Sequence, residues 1–321
     1  MKFTPVKFQA TLASAGVALM PMYFLKFNIF KTNENISLSM LSLLSDQPVL
    51  YATALFLAIT MGLFIVIHFF YTAVFLKELV IWLSTTNEFK KLINSHLTAS
   101  TVFSPLISLP MSMIVLFGPT SFFFPQITEN IQTFMLPAFI LFAILWVALI
   151  SFELKAAGVF FTTLVEPETL NFGWLLDVLA FGAVSLVGSL IANFADSRLI
   201  SSSTAFMVFV TVFVGIALFS VKLAILIYQQ IRSRQLPVSA IMPAYCLVIP
   251  PSCLLGFGFY QLVQYTGKTY GFDVSAISFI IINFSYFFSM SWFVFSIFLL
   301  KEYLKKDFLR TDYSPAQWGM V

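Results

Sequence analysis

The chain has 321 residues, of which 60% are hydrophobic, 10% are charged and 40 are phenylalanine. This composition excludes a soluble globular domain, which needs more polar surface, and indicates an integral membrane protein. The net charge of +3 does not indicate a nucleic-acid partner, because the cations lie in short loops and at helix ends.

Eight apolar segments are long enough to cross a bilayer, which requires about 20 apolar residues. They lie at about 8–28, 49–83, 99–123, 132–161, 172–194, 203–231, 238–265 and 274–304. A ninth segment could begin at Ser314, shortly before Val321. We expect residues 1–321 to form a single transmembrane domain of the all-α polytopic class.

The distribution of lysine and arginine predicts the orientation, because cytoplasmic loops collect these residues. A cytoplasmic N-terminus places nine cations inside and four outside. The inner set is Lys2, Lys7, Lys90, Lys91, Arg232, Arg234, Lys305, Lys306 and Arg310, and the outer set is Lys26, Lys31, Arg198 and Lys268. We therefore expect a multi-pass protein of the plasma (inner) membrane with its N-terminus in the cytoplasm.

Residues that break helices are concentrated in the odd-numbered segments. The stretch from Leu236 to Tyr265 contains four prolines and two glycines, whereas Pro137 is the only proline inside the even-numbered segments. A proline frees a backbone carbonyl, which is tolerated at membrane depth only where protein or a watery cavity covers it. The odd helices are therefore expected inside and the even helices outside, as a helical hairpin repeated along the chain.

Small polar residues recur at helical spacing on the odd segments and mark one face of each. If these faces converge, they form a narrow tube that suits an anion, because hydroxyls and exposed N–H groups donate hydrogen bonds. Phe257 is the aromatic residue expected to constrict this tube, and close helix packing is the alternative role of the small residues. The predicted pore-lining residues are Thr11, Ser14, Ser104, Ser108, Ser112, Gly182, Ser185, Ser189, Pro243, Cys246, Pro250, Cys253 and Phe257.

Two ionisable residues inside predicted helices are candidates for proton exchange. Asp177 lies about one turn inside the fifth helix and His68 lies in the middle of the second. The alternative for Asp177 is a cap or an ion pair at the membrane boundary, and the alternative for His68 is a hydrogen bond to a neighbouring helix. Glu153 and Lys155 are interpreted as structural residues at the inner boundary.

The sequence does not predict an enzyme. It contains no nucleophile elbow, phosphate-binding loop, HExxH motif or paired catalytic carboxylates. The two histidines and the two cysteines, Cys246 and Cys253, give no ligand set at metal-binding spacing. We expect no cofactor and no metal.

Three segments carry a family resemblance: Phe8–Met22, Ile249-Pro250-Pro251 in the seventh helix, and Ser314-Pro315-Ala316-Gln317-Trp318-Gly319 near the end. They resemble the tellurite-resistance/dicarboxylate transporter family, which includes the slow anion channels of plant guard cells. The resemblance implies a ten-helix fold of five helical hairpins, with odd helices around a pore, even helices outside, and a homotrimer. It also implies that Trp318-Gly319 opens the ninth helix and that a gating phenylalanine follows it, so the C-terminal part of the fold is expected to be missing.

The predicted function is membrane transport. The chain is interpreted as an anion channel or an organic-anion transporter of the dicarboxylate or tellurite type, with small anions and membrane lipid as its partners. Two alternatives remain: a proton-coupled secondary carrier that uses Asp177 or His68, and a membrane assembly or sensory protein that transports nothing.

Overall fold

The computed structural model describes residues 3–95, 98–163, 170–234, 239, 241–308 and 317. In this part of the chain, eight helices are long and apolar enough to cross a membrane: α1 (Pro5–Ile29), α2 (Pro48–Thr85), α3 (Ala99–Phe123), α4 (Ile131–Thr162), α5 (Phe172–Phe194), α6 (Arg198–Ser233), α7 (Met242–Tyr270) and α8 (Ser275–Lys306). The predicted all-α polytopic class is confirmed. The segment predicted to open a ninth helix at Ser314 lies outside the described residues, apart from Gln317.

Two helices extend beyond the hydrophobic segments that predicted them. Helix α6 begins at Arg198 rather than at 203, and the Ser202 hydroxyl in its first turn donates to the Arg198 carbonyl oxygen. Helix α7 continues to Tyr270 rather than 265, where Gly271 adopts φ +73° and ends it. Hydropathy misses both extensions because polar end turns carry no apolar signal, whereas a left-handed glycine is the usual helix terminator.

Every odd helix begins with a short 3-10 segment, at Pro5–Lys7, Ala99–Phe103, Phe172–Leu175 and Met242–Val248. In α3 and α7 the prolines that follow, Pro105 and Pro250, lie in the first turn of the α-helical part. The missing N–H of a proline costs little stability in the first turn, because an N–H there has no intrahelical acceptor. Consecutive 3-10 segments contact each other, so they form one layer at a single end of the bundle, which we call the 3-10 layer.

The odd and even helices differ in burial. The buried share of the apolar stretch is 56%, 67%, 94% and 44% for α1, α3, α5 and α7, but 22%, 28%, 33% and 22% for α2, α4, α6 and α8. Helix α1 packs on α3, α3 on α5, and α5 on α7, while α2, α6 and α8 pack on the odd helices that precede them. The odd helices therefore form an inner arc centred on α5, as expected from the distribution of breakers.

Close approach at α5 depends on a glycine. A Cβ atom at Gly188 would lie 2.5 Å from Phe142 of α4 and 2.5 Å from Val208 of α6. Both neighbours are buried side chains in the core. Glycine at this position lets two outer helices pack directly against the α5 backbone.

Candidate functional site

A buried polar network joins α1, α2 and α3. The Thr11 and Ser108 hydroxyls are hydrogen-bonded to each other, which links α1 to α3. The imidazole of His68, on α2, lies 2.8 Å from the Thr11 carbonyl oxygen through Nδ1 and 2.8 Å from the Ser112 hydroxyl through Nε2. His68, Thr11 and Ser108 are fully buried, so this network lies within the protein and away from lipid.

The partners of His68 fix its tautomer. The Thr11 carbonyl oxygen can only accept, so Nδ1 must carry a hydrogen. Nε2 then either accepts from the Ser112 hydroxyl in the neutral ring or donates to it in the charged ring. His68 thus makes the hydrogen bonds to neighbouring helices that were its alternative role.

The remaining small residues of α1, α3 and α5 are buried, and most bond their own helix. The hydroxyls of Ser14, Ser185 and Ser189 donate to carbonyl oxygens three residues earlier, whereas the Ser104 hydroxyl has no partner among the described residues. A Cβ at Gly258 of α7 would lie 2.5 Å from the Ser185 Oγ. Ser185 and nearby Gly182 therefore lie where α5 touches α7.

The predicted face of α7 is partly open. Pro243 is buried, Cys246 and Pro250 are half-buried, and Cys253 and Phe257 are exposed. Phe257 is 41% exposed, and its ring stacks on Tyr260 at 5.9 Å between centroids. The face therefore turns from the 3-10 layer at Pro243 toward an open surface at Phe257.

A second buried cluster joins α4, α5 and α6, and we call Glu153, Asp177 and Lys222 the acid–base cluster. The Lys222 ammonium is ion-paired with the Asp177 carboxylate and lies 4.5 Å from the centroid of the Trp174 ring. The three side chains are 9%, 2% and 6% exposed, respectively. Asp177 is also the second residue of the α-helical part of α5, where a negative charge interacts favourably with the helix dipole.

Sequence reasoning selected Asp177 but missed its partners. Glu153 and Lys222 lie about three turns from the same end of their helices, at the end where α5 begins. Their equal depth in the membrane could have indicated that they are partners of Asp177, because a buried charge needs a partner at its own depth. The sequence does not give the rotation of each helix about its axis, which decides whether the side chains face each other.

The described residues form a small cavity beside the acid–base cluster and a larger one of about 630 Å³ where α5 ends and α6 begins. Arg198 and Lys268 are exposed on its wall together with Asp196, and the Lys268 ammonium donates to the Asn193 carbonyl oxygen at 3.0 Å. The lining carries one more positive than negative charge, which favours anions at this surface. The larger cavity is lined by the end of α5, the start of α6 and the end of α7, so it lies at the end of the bundle opposite the 3-10 layer.

Within the described residues, no group of three or more histidine, cysteine, aspartate or glutamate side chains could hold a metal ion. Cys246 and Cys253 are both free thiols. The Cys253 thiol donates to the Ser289 hydroxyl of α8 at 3.2 Å, so it bonds across the α7–α8 hairpin.

Comparison with known proteins gives one family match. A family model described as "SLAC1: Voltage-dependent anion channel" matches residues 2–321, which include all eight membrane-spanning helices. Neither the comparison with curated proteins nor the comparison with solved structures returned a match.

Proposed function

This chain belongs to the SLAC1 family of anion channels and transporters, the family that its sequence resembles, and we propose that it conducts small anions through a pore between its odd-numbered helices. Family membership supports a multi-pass membrane protein that moves anions rather than an enzyme. We propose small anions as the substrates, with organic dicarboxylates or tellurite as the alternative. We also propose that the protein is a homotrimer in the plasma membrane and that its N-terminus is cytoplasmic.

The alternation of burial carries this proposal. The wall of a pore in a membrane must be shielded from lipid. The odd-numbered helices, which contain most of the helix-breaking prolines and glycines, are the more shielded ones here. The 3-10 layer gathers the beginnings of α1, α3, α5 and α7 at one end of the bundle. A pathway between these helices would run from this layer along the face of α7 that opens toward Phe257.

The lining chemistry is compatible with anion passage. The predicted lining residues are six serines, one threonine, two cysteines, two prolines, one glycine and Phe257, without a fixed cation among them. A wall without a fixed cation does not trap an anion, and conduction requires that an ion can also leave. Arg198 and Lys268 provide positive charge at the larger cavity, where it attracts anions without blocking the pathway.

The native thiols test this proposal. The full chain is reconstituted in liposomes, and the fluxes of chloride, nitrate and malate are measured with and without a proton gradient. We expect flux that is independent of the proton gradient and reduced several-fold when a membrane-impermeant, negatively charged thiol reagent modifies exposed Cys253.

Two serine substitutions provide the matched comparison. Cys253→Ser should resist the reagent, with its own untreated flux as the reference, whereas half-buried Cys246→Ser should remain sensitive to it. Absence of flux for every anion over a range of voltages would overturn the transport proposal. Flux that requires a proton gradient and disappears in Asp177→Asn would instead support the proton-coupled carrier.

A further inference from the structure

The acid–base cluster contains two carboxylates but only one ammonium group. Asp177 is satisfied, because its Oδ2 pairs with the Lys222 ammonium and its Oδ1 accepts the Val178 N–H at 2.6 Å. Glu153 Oε2 is buried and has no donor among the described residues. Glu153 lines the same small cavity as Lys222, the counter-ion of Asp177. Two carboxyl groups therefore lie beside a single ammonium group in the interior.

A charge count shows what this arrangement lacks. If both carboxyl groups were ionised, the cluster would carry one uncompensated negative charge with all three side chains nine-tenths or more buried. Burial of an unpaired charge is strongly unfavourable, and two carboxylates that share a site favour retention of one proton between them. A proton supplies both the missing positive charge and the missing donor.

We infer that the acid–base cluster is a binding site for a single proton, which resides on Glu153 and is donated in a hydrogen bond to the Asp177 carboxylate. Binding converts the Glu153 carboxylate and a hydronium ion into a carboxylic acid and water, so charge and atoms balance. The cluster is then neutral, with the Asp177 charge balanced by Lys222. Because the two carboxyl groups interact, the affinity for this proton is a property of the pair, although the proton resides on Glu153.

No other charge in the described residues near Glu153 removes the need for this proton. On α4 itself, Lys155 is exposed, and the helix Glu88–Ile93, which packs on α4, carries Lys90 and Lys91 on its exposed face. Glu88 in that helix accepts from the Trp82 indole. Helix α3 presents only uncharged residues to α4, and Asp177 and Lys222 are the charged groups contributed by α5 and α6.

A small cavity lies beside the cluster. It has a volume of about 120 Å³ and is lined by Glu153, Lys222 and the aromatic residues Phe160 and Trp174, and the inferred proton would enter and leave through it. It lies at the end of the bundle where α5 begins, which is the cytoplasmic end in the proposed topology. Loss of the proton would place a net negative charge between α4, α5 and α6 and loosen their packing.

Infrared spectroscopy of the purified full chain tests this inference directly. Spectra are recorded at neutral pH in a detergent without ester groups, so that the carbonyl stretch of a protonated carboxylic acid is not obscured. The wild-type protein should show this band, Glu153→Gln should lose it, and the matched control Glu302→Gln, at an exposed ion pair with Lys306, should retain it.

A second measurement does not depend on the folding of a variant. Wild-type protein with carbon-13 in its glutamate carboxyl groups should show the same band at lower frequency. Absence of the band in the wild type, its persistence in Glu153→Gln, or its failure to move with the label would each overturn the inference. Because anion flux is not the readout, this result stands apart from the proposed channel function.

Discussion

At the scale of single residues, His68 provides buried polar contacts between α2 and the first two helices of the inner arc. Its two ring nitrogens reach α1 through the Thr11 carbonyl oxygen and α3 through the Ser112 hydroxyl. The Thr11 carbonyl oxygen also accepts from the Ser14 hydroxyl, whereas the Ser112 hydroxyl makes one other bond within the part of the chain that the structure describes, at 3.3 Å. The contact with Ser112 is therefore the one that cannot readily be replaced.

His68→Leu should destabilise the folded protein by about 1–3 kcal/mol, because it leaves the Ser112 hydroxyl short of a buried partner and removes the link to α1. The measurement is the thermal unfolding midpoint of purified protein in detergent. Thr60→Val, on the same helix, is the control, since the Thr60 hydroxyl bonds only the Phe56 carbonyl of its own helix. An unchanged midpoint together with transport that no longer responds to pH would identify His68 as a proton-exchanging residue instead.

The burial of His68 and Asp177 could be predicted from the sequence, but their partners could not, and Glu153 and Lys222 are buried although the sequence did not predict it. His68 and Asp177 stand out because charged or titratable groups are rare in apolar helices. Their partners are 57, 44 and 45 residues away in the sequence. Whether two such side chains meet depends on the rotation of each helix, and a shift of one residue turns a side chain by about 100°.

At the scale of helices, the ion pair of the acid–base cluster connects the centre of the bundle to its outer wall. Asp177 belongs to α5, the most buried helix, and Lys222 belongs to lipid-facing α6. A buried ion pair adds little net stability, but removal of one partner leaves the other charge uncompensated. The Asp177–Lys222 pair therefore fixes the packing orientation of α6 on α5 and adds little to the free energy of unfolding.

Lys222→Met should destabilise the protein by about 3–5 kcal/mol, since Asp177 loses its counter-ion. The double variant Asp177→Asn with Lys222→Met should recover a large part of this loss, because the uncompensated charge is then gone. Unfolding midpoints of both single variants and the double variant form a double-mutant cycle. Strictly additive losses would mean that the two side chains do not interact.

The distinction between inner and outer helices was predictable, and the 3-10 layer was not. Prolines and glycines mark the odd helices because only buried backbone tolerates them in a membrane. Pro250 and Pro251 were expected to interrupt α7, yet they lie in the first turn of its α-helical part. A proline pair fits a helix start as well as a kink, and packing against the adjacent 3-10 segments decides between them.

At the scale of the whole molecule, orientation remains a prediction from charge. Nine lysines and arginines on one side against four on the other favour a cytoplasmic N-terminus. The same orientation places the acid–base cluster near the cytoplasm and the cavity with Arg198 and Lys268 on the outer surface.

Single cysteines in short loops should report this orientation. In a background with Cys246→Ser and Cys253→Ser, a cysteine replacing Ser197, between α5 and α6, should react with an impermeant thiol reagent in intact cells. A cysteine replacing Ser95, between α2 and α3, should react only after the membrane is permeabilised. The reverse pattern would invert the orientation of the whole molecule.

The even helices are longer than a bilayer requires. Helix α2 has 38 residues and α6 has 36, which at 1.5 Å per residue is about 55 Å, against about 30 Å of hydrocarbon. The odd spans have 23 to 29 residues. The outer helices must therefore tilt or project, and their lipid-facing surface meets any hydrophobic mismatch first. A change in bilayer thickness acts on the outer wall and reaches the inner arc only through the contacts between them, including the Asp177–Lys222 pair.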